Sequence, residues 1–146
     1  MIQFNSAKKK VLFLCTHNSA RSQIAEALLK YFAGSSFEVE SAGTSPCGVN
    51  TYAVKVLAEI GIEVLGQYSK SLSQFANEKF DYVITVCANA EKFCPVFAGS
   101  YKKIHWPLDD PAGVKGSRDA IKEAFRKTLK ELKELVIDFI NNQQQK

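Results

Sequence analysis

The sequence predicts one α/β domain built on a parallel sheet of about four strands, with helices on both faces. Three observations carry this. The run Val11-Leu12-Phe13-Leu14-Cys15 is apolar without interruption, as in a strand buried on both faces of a parallel sheet. Helical and strand patterns then alternate along the chain, which calls for right-handed crossovers between parallel strands. Finally, 146 residues suffice for one ordinary core and leave no room for a second. The single domain spans residues 1–146, with 1–9 and 141–146 expected to fray.

The elements follow in order. After the first strand come small and polar residues, then Ile24, Ala27, Leu28, Leu29, Tyr31 and Phe32 at helical spacing up to Gly34. Phe37 to Ala42 reads as a weaker strand, and Gly43 to Gly48 as a loop. A second helix is marked by Tyr52, Ala53, Val56, Leu57 and Ile60, with Asn50 placed to cap it and Gly61 to end it. Tyr82 to Val86 is the next strand, and Lys103 to Trp106 a short fourth one. From Ser117, an N-cap residue, the last helix carries Ile121, Phe125, Leu129, Leu132, Val136, Phe139 and Ile140 on one stripe. In such a sheet ligands bind beyond the carboxyl ends of the strands. Cys15, Cys87 and Asp109-Asp110 all follow a predicted strand, so they converge on that edge.

Composition narrows the function classes. With 46% hydrophobic and 23% charged residues, the chain is neither disordered nor collagen-like. No apolar run approaches the roughly 20 residues that span a bilayer, so no membrane role is expected. A net charge of +4 is too mild to imply nucleic acid. Only five apolar residues follow the polar start of the chain, short of a signal-peptide core of about 7 to 15 residues. A cytoplasmic monomer is the expectation. In a reducing compartment the four cysteines, at 15, 47, 87 and 94, read as buried hydrophobes, metal ligands or redox groups rather than static disulfides.

The segment Cys15-Thr16-His17-Asn18-Ser19-Ala20-Arg21-Ser22 sets a thiol and a guanidinium at the junction of a buried strand and a helix N-terminus. A loop there turns several backbone N–H groups toward one anion, with the positive end of the helix dipole behind them. Arg21 supplies a planar fork of donors for two oxygens of a tetrahedral oxyanion. The same field favours a thiolate, which makes Cys15 an ionised nucleophile beside a bound oxyanion held by residues 16–22. Ser22 is placed to donate its hydroxyl to that sulfur as it leaves. His17 reads as a loop side chain facing solvent. No Gly-Lys-Ser/Thr ending supports nucleotide binding. Displacement at the oxyanion also needs a proton for the departing oxygen.

Cys87 and Cys94 flank Ala88 to Phe93, a segment of good helical propensity. On one helix their Cα atoms would lie roughly 10 Å apart, whereas a disulfide needs about 4.4 to 6.8 Å. A bond between them therefore requires the helix to unwind. Two other readings stay open: both cysteines as packing groups, or a zinc site with His105, for which six intervening residues is an unusual ligand spacing. Cys47, in Pro46-Cys47-Gly48, reads as a bystander.

Cys15 to Ser22, with Ser41-Ala42-Gly43 and Asp109-Asp110-Pro111, resembles the low-molecular-weight tyrosine phosphatase family. Val86-Cys87, Cys94-Pro95 and His105-Trp106 resemble its thioredoxin-coupled arsenate reductase branch. The resemblance implies that Asp110 is the acid, and that arsenate is reduced by a relay in which Cys15, Cys87 and Cys94 act in turn and thioredoxin is the reductant. No resident cofactor or metal is implied for this relay. Many members carry a further cysteine where this chain has Ala20, a position the relay does not use. Some hold a potassium ion through residues matching Asn18, Glu26 and Ser41 plus an acid, and that acid is Lys70 here. Lys70 either fills the cation site with its ammonium or lies on a solvated loop. The alternative function is a phosphatase using Cys15, Arg21 and Asp110 alone, but Asp110-Pro111-Ala112-Gly113 lacks the aromatic wall of the phosphotyrosine enzymes. A non-enzymatic thiol sensor needs neither the acid nor the arginine.

Overall fold

The computed structural model describes residues 8–64, 66–87, 97 and 99–144. Within them the chain runs β1 (Lys9–Cys15), α1 (Arg21–Ala33), β2 (Phe37–Gly43), α2 (Thr51–Glu59), β3 (Tyr82–Thr85), β4 (Lys102–His105) and α3 (Arg118–Gln144). Short 3-10 turns lie at Leu72–Phe75 and Pro111–Gly113. All four strands are parallel, in the order β2-β1-β3-β4. This is the predicted architecture, with strand ends moved by one or two residues.

β1 is the centre of the core because both of its faces are apolar. Val11 and Phe13 point one way, Leu12 and Leu14 the other, and all four are buried. On the Phe13 face, Trp106 stacks between Phe13 and Phe139 of α3. The strand begins at Lys9, two residues before the apolar run, because Lys9 and Lys10 still pair with Phe37 and Glu38. The Asp81 carboxylate also accepts from the Lys10 N–H at 2.8 Å.

The caps fall where the sequence places them. The Asn50 side-chain oxygen accepts from the N–H groups of Tyr52 and Ala53, at 2.8 and 3.4 Å. Gly61, with φ +81°, closes α2 while Ile62 N–H returns to Leu57 O at 2.9 Å. Ser117 Oγ accepts from Ala120 N–H at the start of α3. The expected fraying from Asn141 is corrected: α3 continues to Gln144. Phe139 stacks on Phe37 and Tyr82, and Tyr82 donates its hydroxyl to Gln143, which anchors the final turn. Within the N-terminal stretch 1–9 expected to fray, Lys9 is likewise in β1.

α1, α2 and α3 pack against one another. Arg126 of α3 holds Glu59 of α2 in a two-pronged ion pair at 2.9 and 2.8 Å. Arg126 and Lys122 lower the Glu59 carboxyl to a pKa of about 2. Among the described residues no helix is long and apolar enough to cross a membrane.

Candidate active site

The loop between β1 and α1 is shaped from outside. Thr16 O accepts from Ser45 N–H at 2.8 Å, His17 O from Cys47 N–H at 3.2 Å, and Ser19 O from Asn50 N–H at 2.9 Å. The Gln23 amide donates to Asn18 O at 3.0 Å. Four successive carbonyls are thus held by surrounding elements. The N–H groups from His17 to Gln23 donate to no protein acceptor among the described residues. Carbonyls engaged outward and N–H groups left over at a helix N-terminus make an anion cradle. Gly43 permits this closeness, since a Cβ there would stand 2.5 Å from Thr16 O and 2.8 Å from Asn18 N.

Asn18 is the pivot of the loop. Its backbone takes a left-handed φ of +47°, and its side chain is fully buried. Its amide donates to Ser22 Oγ and Ser41 Oγ, both at 2.8 Å, and its oxygen accepts from Lys70 N–H at 2.8 Å and from Gln23. Every bond that this side chain is able to make is made, which holds the backbone in an otherwise unfavourable conformation.

Above the loop lies a cavity of about 220 Å³ whose walls include Cys15, His17, Ser19, Arg21, Cys47 and Asp110. Cys15 ends β1 and is buried. Arg21 reaches over it, held by Leu108 O at 3.1 Å, with its Nη2 3.8 Å from Asp110 Oδ2. The Arg21 Nε is buried and has no hydrogen-bond partner among the described residues, a donor left for a bound oxyanion. Asp110 is half exposed and accepts from Ala112 N–H at 3.0 Å, which fixes one carboxylate oxygen and leaves the other toward Arg21. Pro111 after it favours the extended backbone seen at Asp110.

The second thiol lies beside the first. Cys87, buried just beyond β3, is near enough to Cys15 to influence its ionisation and stands 3.4 Å from Thr16 Oγ1. Contrary to the sequence expectation of a depressed pKa, the Cys15 thiol is pushed up. The Cys87 contact is the main cause, burial adds to it, and the Arg21 charge opposes both. Cys94 lies outside the described residues. The His17 ring Nδ1 is 3.1 Å from Ser45 O, so this side chain fastens the neighbouring loop.

Two features escape sequence reasoning, and a third decides between two readings. Cys47 is exposed, but it stands on the wall of the same cavity as Cys15. Gln23 is a fully buried polar side chain in the first turn of α1, and nothing in its local pattern announces that. Lys70 is only 4% exposed, so the solvated-loop alternative is overturned. Its ammonium lies 2.8 Å from Glu40 and 3.6 Å from the buried Glu26, beside Ser41, which donates to Glu26.

The family model for low molecular weight phosphotyrosine protein phosphatase matches residues 10–146. The chain belongs to that family. Among its relatives, an arsenate reductase of Halalkalibacterium halodurans is 40% identical over 125 residues, covering 86% of this chain and 90% of that protein. The solved structure of an arsenate reductase in the phosphate binding state superposes with a TM-score of 0.79 at 31% identity, covering 92% of this chain and 98% of that one. A thioredoxin-dependent arsenate reductase of Corynebacterium glutamicum has a TM-score of 0.65 at 33% identity, covering 91% of this chain and 64% of that one.

Proposed function

We propose that this chain reduces arsenate to arsenite by a three-thiol relay and is regenerated by thioredoxin. The family and its arsenate reductase relatives support arsenate reduction. One observation carries the choice over a phosphatase: a second buried thiol, Cys87, stands beside the nucleophile at the floor of an anion cradle, 3.4 Å from Thr16 Oγ1. A phosphatase has no use for it.

Arsenate enters the cavity with its oxygens on the loop N–H groups and the Arg21 fork. The Cys15 sulfur, as thiolate, bonds to arsenic while one oxygen leaves as water, its proton supplied by Asp110. Cys87 thiolate then attacks the Cys15 sulfur. The S–S bond forms as the S–As bond breaks, and its electron pair stays on arsenic, which leaves as arsenite. Cys94 thiolate attacks Cys87, forming the Cys87 to Cys94 disulfide and releasing Cys15 as thiolate. A thioredoxin dithiol reduces that disulfide. Thr16 Oγ1 beside Cys87 offers a hydrogen-bond donor to the attacking thiolate.

The residues around Lys70 do not suit a potassium ion. The Asn18 oxygen already accepts from Lys70 N–H and Gln23, and the Lys70 ammonium supplies the positive charge facing Glu26. Catalytic efficiency is therefore expected to be unchanged when potassium replaces choline at fixed ionic strength, and a clear rise would overturn this.

The test of the relay follows NADPH consumption with arsenate, thioredoxin and thioredoxin reductase. Cys87→Ser and Cys94→Ser are each expected to abolish steady turnover. Full activity in either variant rejects the relay, and brisk hydrolysis of an aryl phosphate without arsenate-dependent turnover favours the phosphatase.

A further inference from the structure

We infer that Gln67, outside the catalytic cavity, is a positioning residue that sets the direction of a hydrogen-bond chain ending in the Ser22 hydroxyl. The inference rests on the reading of Cys15 as nucleophile. It starts from a segment stitched across the loop: Tyr68 O accepts from Gln23, Ser69 Oγ donates to His17 O, and Lys70 N–H donates to Asn18.

Amide orientation is ordinarily ambiguous between oxygen and nitrogen. Here backbone groups decide it. Lys70 N–H only donates, so the Asn18 atom facing it at 2.8 Å is the oxygen, and the Asn18 nitrogen faces Ser22 and Ser41. The Gln23 group facing Asn18 O, Asn18 Oδ1 and Tyr68 O, each at 3.0 Å, must be the nitrogen. The buried Gln23 Oε1 is then left needing a donor, and Gln67 Nε2 supplies it at 2.8 Å, with a second contact to Gln23 O at 3.2 Å. Donation therefore runs Gln67 to Gln23 to Asn18 to Ser22. Because Ser22 Oγ accepts from Asn18, its own hydrogen points away from that nitrogen. It is free for the sulfur or oxyanion at the helix N-terminus.

Direction is what the test must isolate. Gln67→Met keeps the bulk and removes the donor; Gln67→Glu presents only acceptors to Gln23 Oε1; Gln67→Lys restores a donor. The readouts are kcat and KM for arsenate, the pH profile of Cys15 alkylation by iodoacetamide followed on the Cys15 peptide, and Tm. Met and Glu are expected to lower the neutral-pH alkylation rate about tenfold, by raising the apparent Cys15 pKa about one unit. They should lower kcat more than they raise KM, while Lys stays within about threefold of the parent. A fall in Tm with the Cys15 profile unmoved means a merely structural role and overturns the inference, as does a Lys variant as impaired as Met. A parent that never turns over arsenate rejects the proposed function instead. The Cys15 profile still judges Gln67 in that case.

Discussion

Replacing Cys87 by alanine should make Cys15 more reactive, although it removes a thiol that the proposed relay uses. The Cys87 contact is the largest influence raising the Cys15 thiol, ahead of burial, and the Arg21 charge works in the opposite direction. Two neighbouring buried thiols resist ionising together, because the second negative charge must form beside the first. Without Cys87, the Cys15 sulfur faces Arg21 and the Thr16 N–H with no competing sulfur. The hydrogen bond that the neutral thiol gives up on ionising is worth about 0.5–1.5 kcal/mol. The thiolate fraction below the pKa should therefore rise roughly twofold to tenfold. The assay is iodoacetamide alkylation between about pH 6 and 9, read by mass spectrometry on the Cys15 peptide, with and without phosphate as protectant. A Cys47→Ser background removes the exposed thiol on the cavity wall. Because the Cys15 pKa is raised, the parent rate should climb with pH through this range, and the Cys87→Ala curve should lie to its acid side. Arg21→Gln should move the curve the other way. A Cys87→Ala protein alkylated at the parent rate or slower would refute the reasoning.

Two further changes probe separate parts of the site. Asp110→Asn keeps an acceptor for Ala112 N–H but removes the proton for the leaving oxygen. Single-turnover reduction of arsenate should fall roughly 10²–10⁴-fold, with the Cys15 alkylation profile nearly unchanged, and a loss under threefold would count against Asp110 as the acid. Gly43→Ala drives a methyl group against Thr16 O, Asn18 N and Cys15 O, all backbone atoms within 3 Å. It should cost roughly 1–3 kcal/mol, or about 3–10 °C in Tm for a chain of this size, measured by thermal denaturation.

The parts of the site that were legible in the sequence are those encoded locally. The apolar run ending at Cys15, the polar loop and the amphipathic helix after it form one contiguous signal, and Asn50 and Ser117 cap their helices through bonds within a turn. What was not legible depends on distant segments meeting. Lys70 in Tyr68-Ser69-Lys70 stays undecided between a cation site and a solvated loop until Glu26 of α1 and Glu40 of β2 are brought around it. The carbonyls of Thr16, His17 and Ser19 turn outward because residues 45, 47 and 50 pass alongside, which no pattern within the loop announces. β1 likewise outruns its apolar stretch because pairing with β2 continues through two lysines.

The depressed thiol pKa expected from the loop alone was wrong for the same reason. A helix N-terminus and an arginine favour a thiolate when the sulfur stands by itself, but β3 delivers Cys87 to the same point and its contact dominates. For ester hydrolysis this arrangement is a handicap, since the nucleophile must be ionised to act. For a relay the handicap comes with the reaction. A thiol that is to attack the Cys15 sulfur must approach it closely, and two thiols that close resist carrying negative charge together. Arg21 offsets part of that opposition, and a bound oxyanion becomes a third participant in how the protons are shared. In the proposed relay, the same closeness that holds Cys15 back before arsenate arrives is what lets the disulfide form.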